Sequence, residues 1–164
     1  MDGKLRNMTS VYLYDNNGRV LMLYRIGSRA IKDSYIGTAG GHFEKDELND
    51  ARKCILRELK EEVNLTENDI ENLELKYVTL RYKKDEVRQN YYFFAKLKKS
   101  DIDLKSNEGN LRWCNYNEIK TLDMPHTAKY MIEHYIEEGR FNNYIYGGIA
   151  IPSGVKFIQL ESFE

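Results

Sequence analysis

The chain has 164 residues and a formal net charge of −1, with 25 Lys and Arg against 26 Asp and Glu. That length supports a single domain with a real core, residues 1–164, and the balanced charge excludes a long-range pull toward nucleic acid or an anionic membrane. No apolar run approaches ~18 residues, so no membrane span is expected. Residues 1–10 lack an apolar signal core, and Cys54 and Cys114 lack the spacing of a zinc or disulfide framework, which together fit a reducing cytoplasm.

Met8 to Asp15 alternates and is rich in β formers, so it reads as a strand. Asn16 to Arg19 turns the chain, and Val20 to Arg25 returns as the second strand of a hairpin. Ile26 to Ser34 is a polar loop with Arg25, Arg29 and Lys32 nearby, each of which taken alone reads as solvated surface. Tyr35 to Ala39 is a short strand, and a glycine loop beginning at Gly40 feeds a helix up to Val63. Thr66 to Asn72 is a polar connection, followed by strands over Leu73 to Tyr82 and Val87 to Leu97 around a Lys83–Glu86 turn. The period of two in the second strand sends Tyr91 and Phe93 to one face and Tyr92 and Phe94 to the other. A polar loop, Lys98 to Gly109, leads to a strand around Trp113, then a short turn or helix at Tyr116 to Ile119. His126 to Glu138 reads as a helix capped by Thr127 and ended by Gly139. Its two histidines, His126 and His134, read as structural, because a metal pair needs i, i+4 spacing and a third ligand. Asn143 to Ile151 and Val155 to Leu160 form a final hairpin through Pro152-Ser153-Gly154.

The stretch that organises the chain is Gly40 to Leu65, GGHFEKDELNDARKCILRELKEEVNL. Ala51, Ile55, Leu59 and Val63 repeat at i+4 and give the helix an apolar stripe for a core. Glu58, Glu61 and Glu62 stand at i, i+3 and i+4 and so share another face. Like charges at that spacing repel by a few tenths of a kcal/mol per pair (about 0.2–0.5) when solvated. A hard cation reverses that cost, and Mg²⁺ prefers carboxylate, water and phosphate oxygens. The bland alternative is a solvated charged face on an amphipathic helix, since Glu and Lys are strong helix formers. The Gly-Gly pair at a short distance upstream weighs against it.

This stretch resembles the Nudix box, G-x5-E-x7-R-E-U-x-E-E-x-G-U, with U a bulky aliphatic residue. Gly41 to Glu47 matches its first part, and Arg57 to Leu65 its second, with Asn64 in place of glycine. Asn is the usual substitute for Gly in the left-handed conformation at a helix end. Nine residues, not seven, separate Glu47 from Arg57, a two-residue lengthening before the helix with Asn49 or Asp50 as its N-cap. Glu44 and Glu47 both remain open as the first box glutamate.

The resemblance implies an α+β fold, an α/β/α sandwich with a mixed sheet and the box loop-helix, covering about residues 5–138, with a C-terminal helix and residues 139–164 as a hairpin extension. It implies hydrolysis of a nucleoside diphosphate linked to X, dependent on Mg²⁺, for which Mn²⁺ can substitute. The Gly40 carbonyl with Glu58, Glu61 and Glu62 would hold the metal. Arg57 would hold the carboxylates, and one of Glu61, Glu62 and Glu108 would serve as base or orient the water. Gly41, Glu44 and Glu47 belong to the box loop, and His42 reads as structural or supporting. Arg25 and Tyr35, on the segments before the box, would line the substrate cleft. Glu108-Gly109-Asn110-Leu111-Arg112-Trp113 resembles a segment of MutT-like members. It puts nucleoside triphosphates first, oxidised dGTP among them, cleaved to a monophosphate and pyrophosphate. ADP-ribose, nucleotide sugars and dinucleoside polyphosphates follow. A nucleotide-binding sensor without turnover is the rival of another class, and the intact carboxylate trio weighs against it. A nucleotide derivative is the expected partner, with no membrane and no long nucleic acid, and a homodimer is admitted.

Overall fold

The structure, a computed structural model, describes residues 2–26 and 33–163. Arg29 and Lys32 of the polar loop lie outside them. The strands are β1 (Lys4–Tyr14), β2 (Arg19–Arg25), β3 (Ser34–Ile36), β4 (Ala39–His42), β5 (Ile70–Lys83), β6 (Glu86–Leu97), β7 (Asn110–Asn115), β8 (Ile145–Ile151) and β9 (Gly154–Leu160). The helices are α1 (Ala51–Val63), α2 (Tyr116–Ile119) and α3 (His126–Glu137).

Among the described residues, nine strands join one sheet in the order β3-β2-β1-β6-β5-β8-β9, with β4 also pairing β1 and β7 pairing β2. The β1–β6 and β5–β8 pairs are parallel and the rest antiparallel, so the sheet is mixed. On one face the α1 residues Ile55, Leu59 and Val63 pack with Val11, Leu13, Phe93 and Ala95. On the other, Ala128, Met131, Ile132 and Tyr135 of α3 pack with Tyr12, Tyr77, Tyr92 and Phe94. This is the α/β/α sandwich expected, and the Tyr91–Phe94 alternation supplies core to both faces. Phe94 stacks on Tyr135 with ring centroids 3.6 Å apart and tilts edge-on to Tyr77.

Several elements differ from expectation for local reasons. The strand expected over Tyr35 to Ala39 breaks at Gly37-Thr38, where the Thr38 hydroxyl donates to the Leu21 carbonyl and accepts from the Leu13 N–H. The glycines after it are not a loop. They form β4, with Gly40 opposite Ser10 and Gly41 opposite Thr9. A Cβ on Gly40 would lie 2.2 Å from the Thr9 carbonyl oxygen, so only glycine lets these backbones approach. The β5–β6 turn has positive φ at Lys84 and Asp85, the two-residue hairpin geometry that suits strand twist. Thr127 does not cap α3. Pro125 occupies the N-cap, and Thr127 is buried behind it. Nor does Gly139 end α3 by a left-handed turn; it lies where a Cβ would meet the Tyr77 hydroxyl.

At the box helix the expectations hold. Asp50 is the N-cap, accepting from the Lys53 N–H at 2.9 Å. Asn64 takes the left-handed conformation at φ 57°. Both histidines of α3 are structural. His126 Nε2 lies 2.9 Å from the Ile151 carbonyl, and His134 Nδ1 bonds the Tyr77 hydroxyl at 2.7 Å. The last hairpin extends the sheet through the β5–β8 pairing.

Candidate active site

The apolar stripe of α1 fixes the rotation of the helix, and that rotation sets where its charged residues stand. Glu58 is the most buried of the trio, at 8% exposure. Its carboxylate lies over Gly41, where an added Cβ would be 2.2 Å from Oε1. Four residues on, Glu62 accepts from the Gly40 N–H at 3.3 Å. In an antiparallel ladder the N–H and C=O of one residue point the same way. Gly40 therefore also turns its carbonyl from β1 toward the open edge of β4, beside these carboxylates. Gly40, Gly41, Glu58, Glu62, Glu108, Arg57 and Arg25 all border one cleft of about 710 Å³.

Beneath this cluster Arg57 ties the box together. Its guanidinium holds both oxygens of Glu47, with Nη2 at 3.2 Å from Oε2. It also reaches Glu61 at 2.9 Å, Glu58 at 3.0 Å and the His42 carbonyl at 3.1 Å. Glu47 is buried at 1% exposure and also accepts from the Glu44 N–H. The Arg57 hydrogen bonds hold its carboxyl down at about 2. Glu44 stands 3.8 Å from Arg57 at the cleft wall and is exposed. Of the two candidates left open by the sequence, Glu47 makes the tight contact with Arg57. It does so through a short helical turn at Lys45–Glu47 that absorbs the extra length before α1.

The catalytic expectations separate on this geometry. Glu58 and Glu62 enter the cleft. Glu61 does not border it, its carboxylate being half-exposed and drawn to Arg57. Glu108 reaches the cleft from the distal loop and lies close enough to Glu62 to repel it. Burial raises the Glu62 carboxyl to about 8; Glu58 and Glu108 push it the same way and the Gly40 N–H opposes them. Burial likewise raises Glu58, against the pull of Arg57. These are hard oxygen donors, crowded, half-buried and short of positive charge, a set that fits a divalent cation. A tighter acidic group, Glu44, Asp46 and Glu47, does not, because Glu47 is taken by Arg57 and Asp46 by Lys53.

Arg25 borders the cleft, but Tyr35 does not. Ser34 and Ile36 of β3 face it, and the period of two turns Tyr35 to the other side. There it receives a hydrogen bond from Arg112 at 3.2 Å and meets the Tyr24 ring at 5.0 Å. The sequence reading missed Arg81, Arg88, Asn90 and Tyr92, which also line the cleft. They come from strands whose alternation was visible but whose place beside the box depends on the parallel β1–β6 pairing.

A family model described as the NUDIX domain matches residues 4–135. The chain belongs to the Nudix family. Nudix hydrolases act on pyrophosphate bonds of nucleotide derivatives, and this chain is such a pyrophosphohydrolase. No curated protein matches it. Among solved structures, a NUDIX hydrolase from Nitrosomonas europaea is similar at 19% identity and TM-score 0.70, covering 92% of this chain and 81% of that one. A mutator MutT protein from Bacillus halodurans is similar at 19% identity and TM-score 0.63, covering 93% and 97%. An Ap4A hydrolase from C. elegans is similar at 16% identity and TM-score 0.64, covering 80% and 96%. At these identities the likeness is one of fold. Among the described residues no helix is long and apolar enough to cross a membrane.

Proposed function

We propose that the cleft hydrolyses a nucleoside diphosphate-X pyrophosphate bond in the presence of Mg²⁺, with Mn²⁺ able to substitute. The observation that carries this is the convergence of Glu58, Glu62, Glu108 and the open edge of Gly40 on one cleft. Glu58, Glu62 and the Gly40 carbonyl are the residues that would hold the cation, with Glu61 a further carboxylate donor held beside them by Arg57. The cation would supply charge neutralisation for the pyrophosphate oxygens and a lowered pKa for a nearby water. Glu108, whose carboxylate has no cation beside it among the described residues, takes the proton from the attacking water. Arg57 spans Glu47, Glu58 and Glu61 and so keeps the carboxylates in register while the charge on the cluster changes. Arg25 at the cleft wall meets a substrate phosphate.

We place nucleoside triphosphates first, cleaved to a monophosphate and pyrophosphate, on the Glu108–Trp113 segment. ADP-ribose, nucleotide sugars and dinucleoside polyphosphates share the same chemistry, because the box residues do not read the base. A cytoplasmic setting is supported by two free, buried cysteines. Product analysis by mass spectrometry over canonical and oxidised (d)NTPs, ADP-ribose, nucleotide sugars and dinucleoside polyphosphates with Mg²⁺ tests the reading. One triphosphate giving monophosphate and pyrophosphate selectively would support it. Cleavage of another class keeps the chemistry and replaces the substrate. No turnover of any member transfers the cleft to a nucleotide sensor.

A further inference from the structure

The cleft is acidic where α1 meets β4 and basic at its other end. Arg6 of β1 stands opposite Arg88 of β6, and Arg88 stands opposite Arg81 of β5. Residues opposite one another in adjacent strands face the same side of a sheet. The three arginines therefore form a row across three strands, and Arg81 and Arg88 border the cleft beside Asn90 and Tyr92. Among the described residues one carboxylate serves the row: Glu86 accepts from Arg88 Nε at 2.7 Å and lies 3.5 Å from Arg6. Arg81 makes no ion pair and no side-chain hydrogen bond among the described residues. Like charges directly opposite destabilise a sheet. A neighbour registers the field of the row: Arg81 and Arg88 hold Lys83 below its usual range. Across the cleft from the floor, the first turn of α3 brings Thr127, whose buried hydroxyl has no partner among the described residues.

A row of arginines suits phosphate in particular, because the planar guanidinium fork matches two phosphate oxygens at once. Gly41 pairs with Thr9, three residues along β1 from Arg6. At about 3.3 Å per residue, the row is displaced by roughly 10 Å from the carboxylate end. We propose that Arg81 and Arg88, backed by Arg6, form a second phosphate subsite, and that the substrate is a nucleotide pyrophosphate bearing a further phosphate at that distance from the bond cut. This rests on the hydrolase reading above. The further phosphate is either a separate monoester on the ribose or on X, or the far end of a longer phosphate chain.

Calorimetric binding tests this without turnover. Adenosine 3′,5′-bisphosphate is compared with AMP for the separate monoester, and a methylene-bridged adenosine tetraphosphate with its diphosphate analogue for the chain, all with Mg²⁺. The wild type is expected to prefer the phosphate-richer member of at least one pair by roughly tenfold or more, the size of a charge-assisted hydrogen bond. In Arg81→Gln and in Arg88→Gln that ratio falls to near one, while Arg81→Lys keeps part of it. Thermal unfolding of each variant, expected within a few degrees of wild type, separates this loss from misfolding. The pair that shows the arginine-dependent preference identifies the source of the phosphate. No preference in the wild type, or an unchanged ratio in folded Gln variants, overturns the proposal. A preference in a protein that hydrolyses nothing leaves the subsite standing and removes only the hydrolase reading.

Discussion

The two ends of the cleft carry opposite charge and are assembled in opposite ways. At the acidic end, Glu58 and Glu62 come from one helix, and their neighbours Gly40 and Gly41 lie about twenty residues before them in the chain. Arg57 supplies compensation from within the same segment. At the basic end, Arg6, Arg81 and Arg88 come from three strands joined by pairings between distant segments, with Glu86 as the carboxylate between two of them. The first end is a local device whose geometry follows from helix periodicity. The second exists only once the sheet has formed. That difference predicts chemistry concentrated at the acidic end and selectivity at the basic one.

The largest effect expected is on turnover. Glu58→Gln or Glu62→Gln keeps the shape and removes the anionic donor, and initial rates with Mg²⁺ should fall by roughly a thousandfold, several kcal/mol of transition-state stabilisation. Rates within a few-fold of wild type would detach the chemistry from this end. Next comes Gly40→Ala, whose Cβ would meet the Thr9 carbonyl oxygen at 2.2 Å. It should cost about 2–4 kcal/mol in denaturant unfolding, and a stability equal to wild type would deny the close approach of β4 to β1. Arg57→Met, which frees the carboxylates without emptying the space, should lower kcat by roughly 10- to 100-fold, with KM moving less.

Acid stability sharpens the picture beneath the cleft. The Glu47 carboxyl is held down at about 2, below its unfolded value, so it binds fewer protons folded than unfolded between the two. Its contribution is therefore present above about pH 4.5 and lost as pH falls toward 2, on the order of 1–3 kcal/mol. Glu47→Gln should flatten the pH dependence of unfolding in that window; an unchanged slope would mean that Arg57 does not hold Glu47. The smallest effect belongs to Tyr35→Phe. Its ring lies behind β3 with Tyr24 and Arg112, so kcat/KM should change by less than about twofold, within the ±0.5 kcal/mol of an uninvolved surface position. A loss of tenfold would return Tyr35 to the cleft.

What the sequence made legible follows the same division. The 3.6-residue period placed Glu58, Glu61 and Glu62 on one face and Arg57 beside Glu61, and the resemblance to the box placed the left-handed cap at Asn64. The alternation of Tyr91 to Phe94 told which residues share a face. It could not tell that both faces are covered, since that depends on α1 and α3 packing from opposite sides. Gly40 and Gly41 read as a loop because glycine favours turns, while here their lack of a Cβ serves a backbone approach that only the paired strand reveals. The choice between Glu44 and Glu47 depended on how two extra residues fold before α1, which spacing alone leaves undetermined. Glu61 shows the limit of a helical wheel. It shares the face of its neighbours, yet its side chain goes to Arg57.

The most direct test of the acidic end is a Mn²⁺ titration of wild type and Glu58→Gln/Glu62→Gln, with free ion followed by electron paramagnetic resonance. The wild type should bind Mn²⁺, and the double variant, still folded by circular dichroism, should bind roughly tenfold more weakly or worse, because two of its hard anionic donors are gone. Equal binding by the two proteins would place the metal elsewhere and contradict the assignment of the site.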